Sequence, residues 1–275
     1  MTQRLTPARR RLREMLAAGS AYLDLGLAAL LVGAEEEPEV DVEGSLAALD
    51  DLAESLEPYL SEGSELQRVA SLVEHLFVRQ GFKGNGDDYG DPKNSYLHQV
   101  LERKIGIPIT LSILLIEVGR RVGIELHGVG FPTHFLVGLN HQPGLFVDAF
   151  NEGRILTVDE CKALLHVNTG GVLAYEPGYL APTSTAEILA RVSRNLRNLH
   201  LKEDRIEQAL RAADRIVLLT PHDWIEVRER GLVHFRLGAY GAAIADFNTY
   251  ITEVPEAPDR GWVEDLIEAG REHLS

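Results

Sequence analysis

Pro108 and Gly123 bracket the stretch PITLSILLIEVGRRVG, and this stretch constrains the fold more than any other. Proline is favoured at the first position of a helix and glycine just past its end, so the spacing predicts a helix between them. That helix is apolar on most sides until its last turn, as expected of one buried inside a domain. Arg120 and Arg121 suit the negative end of its dipole. After Gly123 the periodicity changes. Residues 124–130, 134–139 and 145–150 are short, apolar and bounded by turn residues, which predicts strands. NHQPG between the last two reads as a hairpin loop. With its centre near His141, His134 lies opposite Asp148. Directly opposed residues on antiparallel strands share a face, so the two form a candidate orienting pair.

Upstream the chain is helical. Leu46, Leu49, Leu52 and Leu56 recur at helical spacing, as do Val69, Leu72, Val73 and Leu76, with a break around Glu36-Glu37-Pro38. Fourteen acids and no Lys or Arg fall between Glu14 and Gln67. They predict a solvated acidic face, or a contact with a basic surface. GFKGNGDDYGDP, residues 81–92, is a Gly/Asp-rich loop beside the expected site. It has neither the lead-in strand nor the Lys-Ser/Thr of a phosphate loop, and it lacks EF-hand spacing. Asn94 or Ser95 is expected to cap a short helix, YLHQVLERK.

The 275 residues suffice for one large domain or two modest ones. A net charge of -15 argues against nucleic acid or anionic membranes as general partners. Cys161 is the only cysteine, which excludes an intramolecular disulfide and a Cys-rich metal site. The basic start (Arg4, Arg9, Arg10, Arg11, Arg13) and the apolar run from Ala21 superficially suggest a signal peptide. Glu14 and Asp24 interrupt the pattern, and the apolar run is too short to span a bilayer. A cytoplasmic protein is expected. Its oligomeric state is left open, since no heptad or long apolar seam demands assembly.

The C-terminal part carries a repeat. Ala209 and Ala243 are 34 apart, as are Pro221 and Pro255. Gly231, Ala243, Phe247 and Pro255 match the small, small, aromatic and proline positions of a tetratricopeptide repeat. Two repeats and a capping helix from about 259 are expected, and such units bind peptides or protein partners.

For chemistry, His134 oriented by Asp148 is the leading pair. A lone histidine in an apolar strand is more often structural, and a third reading is a buried network of Asn94, His98, Glu102, His134 and Asp148 that only orders the core. Cys161, in the helix-like VDECKALLH, reads as a small buried hydrophobe. His127, His134 and His141 need not converge, and no HExxH is present, so no metal or cofactor is expected. No GxSxG appears either.

NSYLHQVLERKIGIPITLSILLIEVGRRVGIELHGVGFPTHFLVGL followed by FVDAF resembles the bacterial SirB-type family of transglutaminase-like proteins with C-terminal tetratricopeptide repeats. The resemblance covers about 90–160 and implies an α+β, papain-like core. Residues 1–80 would be a helical lead-in, 81–185 the core and 190–275 the repeats with their cap. His134 matches the family's histidine and Asp148 its aspartate. Pro108 stands where active members place the cysteine, and Thr110 and Ser112 are the nearest hydroxyls. The resemblance thus implies a domain without its catalytic cysteine that binds protein or peptide, with Asn94, His98 and Pro108 at a binding site. A role in regulation or protein turnover is implied by a related domain that resembles part of an F-box adaptor. The alternative is a non-classical hydrolase or acyl transferase using His134, Asp148 and Thr110.

Overall fold

The computed structural model describes residues 6–19 and 23–274. Arg4 and the start of the apolar run at Ala21 lie outside the described residues. Contacts divide the chain into two compact units, one up to Ile188 and one from Leu189 onward.

The first unit opens with helices α1 (Pro7–Ala17), α2 (Leu25–Glu36), α3 (Val42–Leu56) and α4 (Glu65–Val73). Each starts on a side chain that accepts a backbone N–H: Thr6, Asp24, Asp41 and Ser64. Such caps satisfy donors that the helix itself leaves unpaired. Leu49, Leu56, Val69 and Leu72 are fully buried, so the leucine spacing marks the core face. A π-helical turn, Glu74–Arg79, extends α4.

The acidic stretch divides between the two roles expected of it. Asp51, Glu54 and Glu57 are exposed. Asp24 and Asp50 meet Arg120 (3.1 Å) and Arg121 (2.6 Å) at the end of the buried helix. Glu35 meets Arg9 at 2.6 Å, with both side chains buried.

Strands β1 (Lys83–Gly84) and β2 (Ile105–Gly106) form a short parallel pair around α5 (Leu97–Arg103). Helix α6 (Pro108–Arg121) follows, and every residue from Pro108 to Gly119 is buried. Gly123 turns the chain away with a φ of 69°. Strands β3 (Leu126–Val129), β4 (Leu136–Leu139), β5 (Leu145–Asp148) and β6 (Arg154–Thr157) form an antiparallel meander in that order. Helix α6 packs against β3, β4 and the turn after β5. Helix α7 (Val158–Thr169) brings Cys161 and Leu165 onto Val129, Leu136, Phe146 and Leu156.

The second unit is helical. Helix α8 (Thr185–Lys202) leads into α9 (Ile206–Leu219), α10 (Trp224–Arg236), α11 (Tyr240–Glu253) and α12 (Arg260–Glu272). Pro221 and Pro255 follow α9 and α11, so the 34-residue spacing marks the ends of successive helix pairs. Gly231 lets α11 approach closely, since a Cβ there would lie 2.7 Å from Phe247 Cε1. Helix α12 covers Ala243, Phe247 and Tyr250 with Val263 and Ile267, as a capping helix does. No helix among the described residues is long and apolar enough to cross a membrane.

Candidate functional site

The hairpin places His134 differently from the expected register. Val137 pairs with Val147 and Gly138 with Phe146, so the hairpin centres on Gln142, not His141. That register sets Leu136, not His134, level with Asp148. His134 lies before β4, closing a turn in which its N–H donates to Phe131 O at 3.1 Å. Pro132 supplies the fixed φ such a turn needs. Thr133 takes a left-handed φ of 60°, a strained position for a β-branched residue. The imidazole still reaches the carboxylate, with Nε2 2.8 Å from Asp148 Oδ1. A shift of two residues preserves the face that a shift of one would invert, which is why the pairing survives the register error.

Both members of the pair are buried, His134 at 8% and Asp148 at 2% exposure. Asp148 ends β5 and caps the turn that follows, accepting from Phe150 N at 3.2 Å and Asn151 N at 3.3 Å. Asn151 Nδ2 donates to its second oxygen at 2.7 Å. Burial pushes this carboxyl upward, but the bonds from His134 and Asn151 outweigh it, and the group sits below the usual carboxylate range. An ionised carboxylate only accepts, so His134 carries its proton on Nε2, and in the neutral ring Nδ1 is the basic nitrogen. The arrangement fixes tautomer and ring orientation, as a histidine base requires.

Phe150, Asn151 and Tyr89 complete the site. Phe150 meets the His134 ring edge-on with centroids 6.2 Å apart, and Tyr89 from the Gly/Asp-rich loop meets Phe150 at 5.9 Å. No catalytic motif in the sequence marks these three. Asn151, three residues past Asp148, has the spacing of a local side-chain cap, a signal that was present.

The other predicted residues go elsewhere. Asn94 does not cap α5, because it lies inside the turn Pro92–Ser95 and Tyr96 holds the cap position. Fully buried, Asn94 donates to Asp88 O at 2.8 Å and accepts from Asn85 Nδ2 at 3.1 Å. Its carbonyl accepts the Thr110 hydroxyl at 2.7 Å, while Thr110 Oγ1 accepts from Ile107 N at 3.1 Å. The Thr110 proton is thus committed to a carbonyl, not to a base. Ser112 is fully buried and its hydroxyl has no hydrogen-bond partner.

His98 bonds Glu37 at 3.0 Å and stacks on Tyr96, with its Nδ1 edge against Gly33 of α2. Glu102 shares a cavity with His98 and Glu37. The single network of Asn94, His98, Glu102, His134 and Asp148 is therefore corrected to separate clusters, because α2 draws His98 away. His127 bonds Asn140 at 2.6 Å, and the exposed His141 lies 3.5 Å from Glu125. Among the described residues, no group of three or more His, Cys, Asp or Glu is placed to hold a metal ion.

Pro108 opens α6 and is buried. A helix N-terminus stabilises a thiolate, but proline offers no nucleophile. Cys161 does not replace it. Burial first, then Glu160 and Asp148, push its thiol up to about 12. The folded protein should therefore resist iodoacetamide at pH 8 and alkylate fully in denaturant. Stoichiometric labelling of native protein, read by intact mass, would contradict this.

Residues 43–194 match a transglutaminase-like superfamily model, and 196–268 match a tetratricopeptide-repeat model. A UPF0162 protein of Xylella fastidiosa (strain Temecula1) is 38% identical over 257 residues, covering 89% of this chain and 90% of the relative. The chain belongs to the SirB-type transglutaminase-like family. A second UPF0162 protein of this family, from Vibrio cholerae, is 30% identical over 86% of the chain and 88% of its own length. Human F-box only protein 21 is 32% identical over 177 residues, covering 60% of the chain but 27% of that protein. No solved structure matches. The match to the transglutaminase-like model includes α3 and part of α8, so it reaches beyond the sheet and α6 on both sides.

Proposed function

We propose that this protein is a cytoplasmic, non-catalytic transglutaminase-like domain (residues 81–185, behind a helical lead-in over 1–80) joined to a repeat region (190–275) that binds a polypeptide partner. One observation carries the reading: the start of α6, where a helix dipole would activate a nucleophile, is a buried proline. The nearest hydroxyl, Thr110, donates to Asn94 O, and the one thiol is held protonated in the core. His134 and Asp148 keep the geometry of a histidine base, and here they lock the turn before β4 to the end of β5.

Tetratricopeptide repeats generally mediate contacts between proteins, and Ile225 and Trp262 expose 56% and 49% of their surface in that region. Part of human F-box only protein 21 is similar in sequence to this chain, which supports a regulatory or adaptor role over a metabolic one.

The test compares wild type with His134→Ala in a cell-extract peptide pool containing a primary-amine probe, read by mass spectrometry. Equal, background levels of cleavage, deamidation and amine incorporation are expected. Cross-linking in the same extract should capture a defined set of polypeptides. His134→Ala should keep that set, and an Ile225→Ser/Trp262→Ala variant of unchanged melting temperature should lose it. Turnover by wild type alone would overturn the reading in favour of a hydrolase or acyl transferase built on His134 and Asp148.

A further inference from the structure

Asp148 also forms part of the wall of a cavity of about 400 Å³ that His134 does not line. Asn151 of the turn after β5, strand β6 and helix α7 supply the rest. Leu156, Leu164 and Val167 give it an apolar side, with Val167 75% exposed at the rim. Arg154 and Glu160 also line the cavity. They pair at 2.8 Å, and their side chains are 64% and 42% exposed, so this pair stands at the mouth.

The bonds of Asp148 are unevenly shared. Oδ1 accepts from His134, Phe150 N and Asn151 N, whereas Oδ2 accepts only from Asn151 Nδ2. A carboxylate oxygen has room for two donors, so the buried carboxylate keeps one acceptor position beside the cavity. The second oxygen of Glu160 is occupied by Thr157, through its N–H and its hydroxyl. The lining thus sets two carboxylates against one guanidinium, with an aliphatic wall between floor and rim.

A ligand that fits must combine a cationic N–H donor with an apolar stem several methylenes long. Lysine and arginine side chains have this construction: an alkyl arm that packs on apolar surface and a charged head that seeks a polar partner.

We propose that this cavity binds the basic side chain of a polypeptide, the stem lying on Leu156, Leu164 and Val167 and the head group donating to Asp148 Oδ2. The proposal concerns the first unit alone and stands whatever the repeat region binds.

The experiment titrates the full-length protein with Nα-acetyl-lysine amide, Nα-acetyl-arginine amide and uncharged Nα-acetyl-norleucine amide, following the methyl resonances of Leu164 and Val167. At least one basic ligand should bind about tenfold or more tighter than norleucine amide, the worth of one charge-assisted hydrogen bond. Ala163 lines the cavity from an exposed position on α7. Ala163→Trp should therefore close the cavity and abolish binding without lowering the melting temperature. Glu160→Gln keeps the capping bonds to Thr157 and should weaken the basic ligands while leaving norleucine amide unchanged. Equal binding of all three ligands, binding by none, or binding that persists in a well-folded Ala163→Trp protein would overturn the assignment.

Discussion

Gly153→Val is expected to destabilise the first unit by about 3 kcal/mol and to unseat Asp148. Two costs combine. Gly153 is buried with a left-handed φ of 73°, which costs a residue bearing a Cβ about 1–2 kcal/mol. A Cβ there would also lie 2.5 Å from Val73 Cγ1 and 2.8 Å from Phe77 Cδ2, and overpacking of this kind costs about 1–3 kcal/mol. The effect reaches the site because Gly153 N donates to Asp148 O at 2.9 Å, closing the turn that Asp148 caps. Thermal melting should show the loss, and the ring N–H resonance of His134 should lose its protection from exchange. Gly153→Ala should fall between, because alanine lacks the branch at Cβ. A Gly153→Val protein melting within a few degrees of wild type would show that α4 and the turn have more freedom than the contacts allow.

Glu226→Ala should damage the repeat region more severely, by about 3–5 kcal/mol. Glu226 is 6% exposed, and its carboxylate accepts from Arg194 Nε at 2.6 Å and from Arg197 Nη1. Arg194 also bonds Asp223, at 3.2 Å, and is partly exposed, so it retains a carboxylate and water. Arg197 is 6% exposed, and truncating Glu226 removes its carboxylate partner while leaving the guanidinium buried. Urea unfolding followed by circular dichroism would measure the loss, with Glu226→Gln, which keeps an acceptor but no charge, falling between. A change below 1 kcal/mol in Glu226→Ala would mean that solvent reaches Arg197 once the carboxylate is gone.

Much of the fold was legible because its signals are local. Pro108 and Gly123 marked the ends of α6, and the change of period after Gly123 marked the meander. The 34-residue spacing marked helix pairs whose contacts are mostly with their sequence neighbours. Pairing of His134 with Asp148 was also legible, although for a partly wrong reason. The loop around Gln142 sets a register two residues from the expected one, and Pro132-Thr133 place His134 in a turn, not in the strand. The face was recoverable because side chains alternate with a period of two; the exact partner was not.

What escaped the sequence depends on approaches between distant segments. His98 belongs to Glu37 because α2 packs against α5, and no local pattern encodes that meeting. Asn94 reads as a helix cap from its neighbours, whereas its actual partners are Asp88, Asn85 and Thr110. The π-helical turn at Glu74–Arg79 was hidden because one widened turn hardly disturbs an apolar pattern.

The buried pair of Arg9 and Glu35 has a practical consequence for anyone trimming this chain. Helix α1 looks dispensable by position, since it lies near the start and outside the matched transglutaminase-like region. Yet it delivers the counter-ion of a carboxylate whose side chain is only 5% exposed. A shortened version beginning at α2 would retain Glu35 without that counter-ion. Moving the start point to Asp24 is therefore a substitution at a charged core position as much as a deletion.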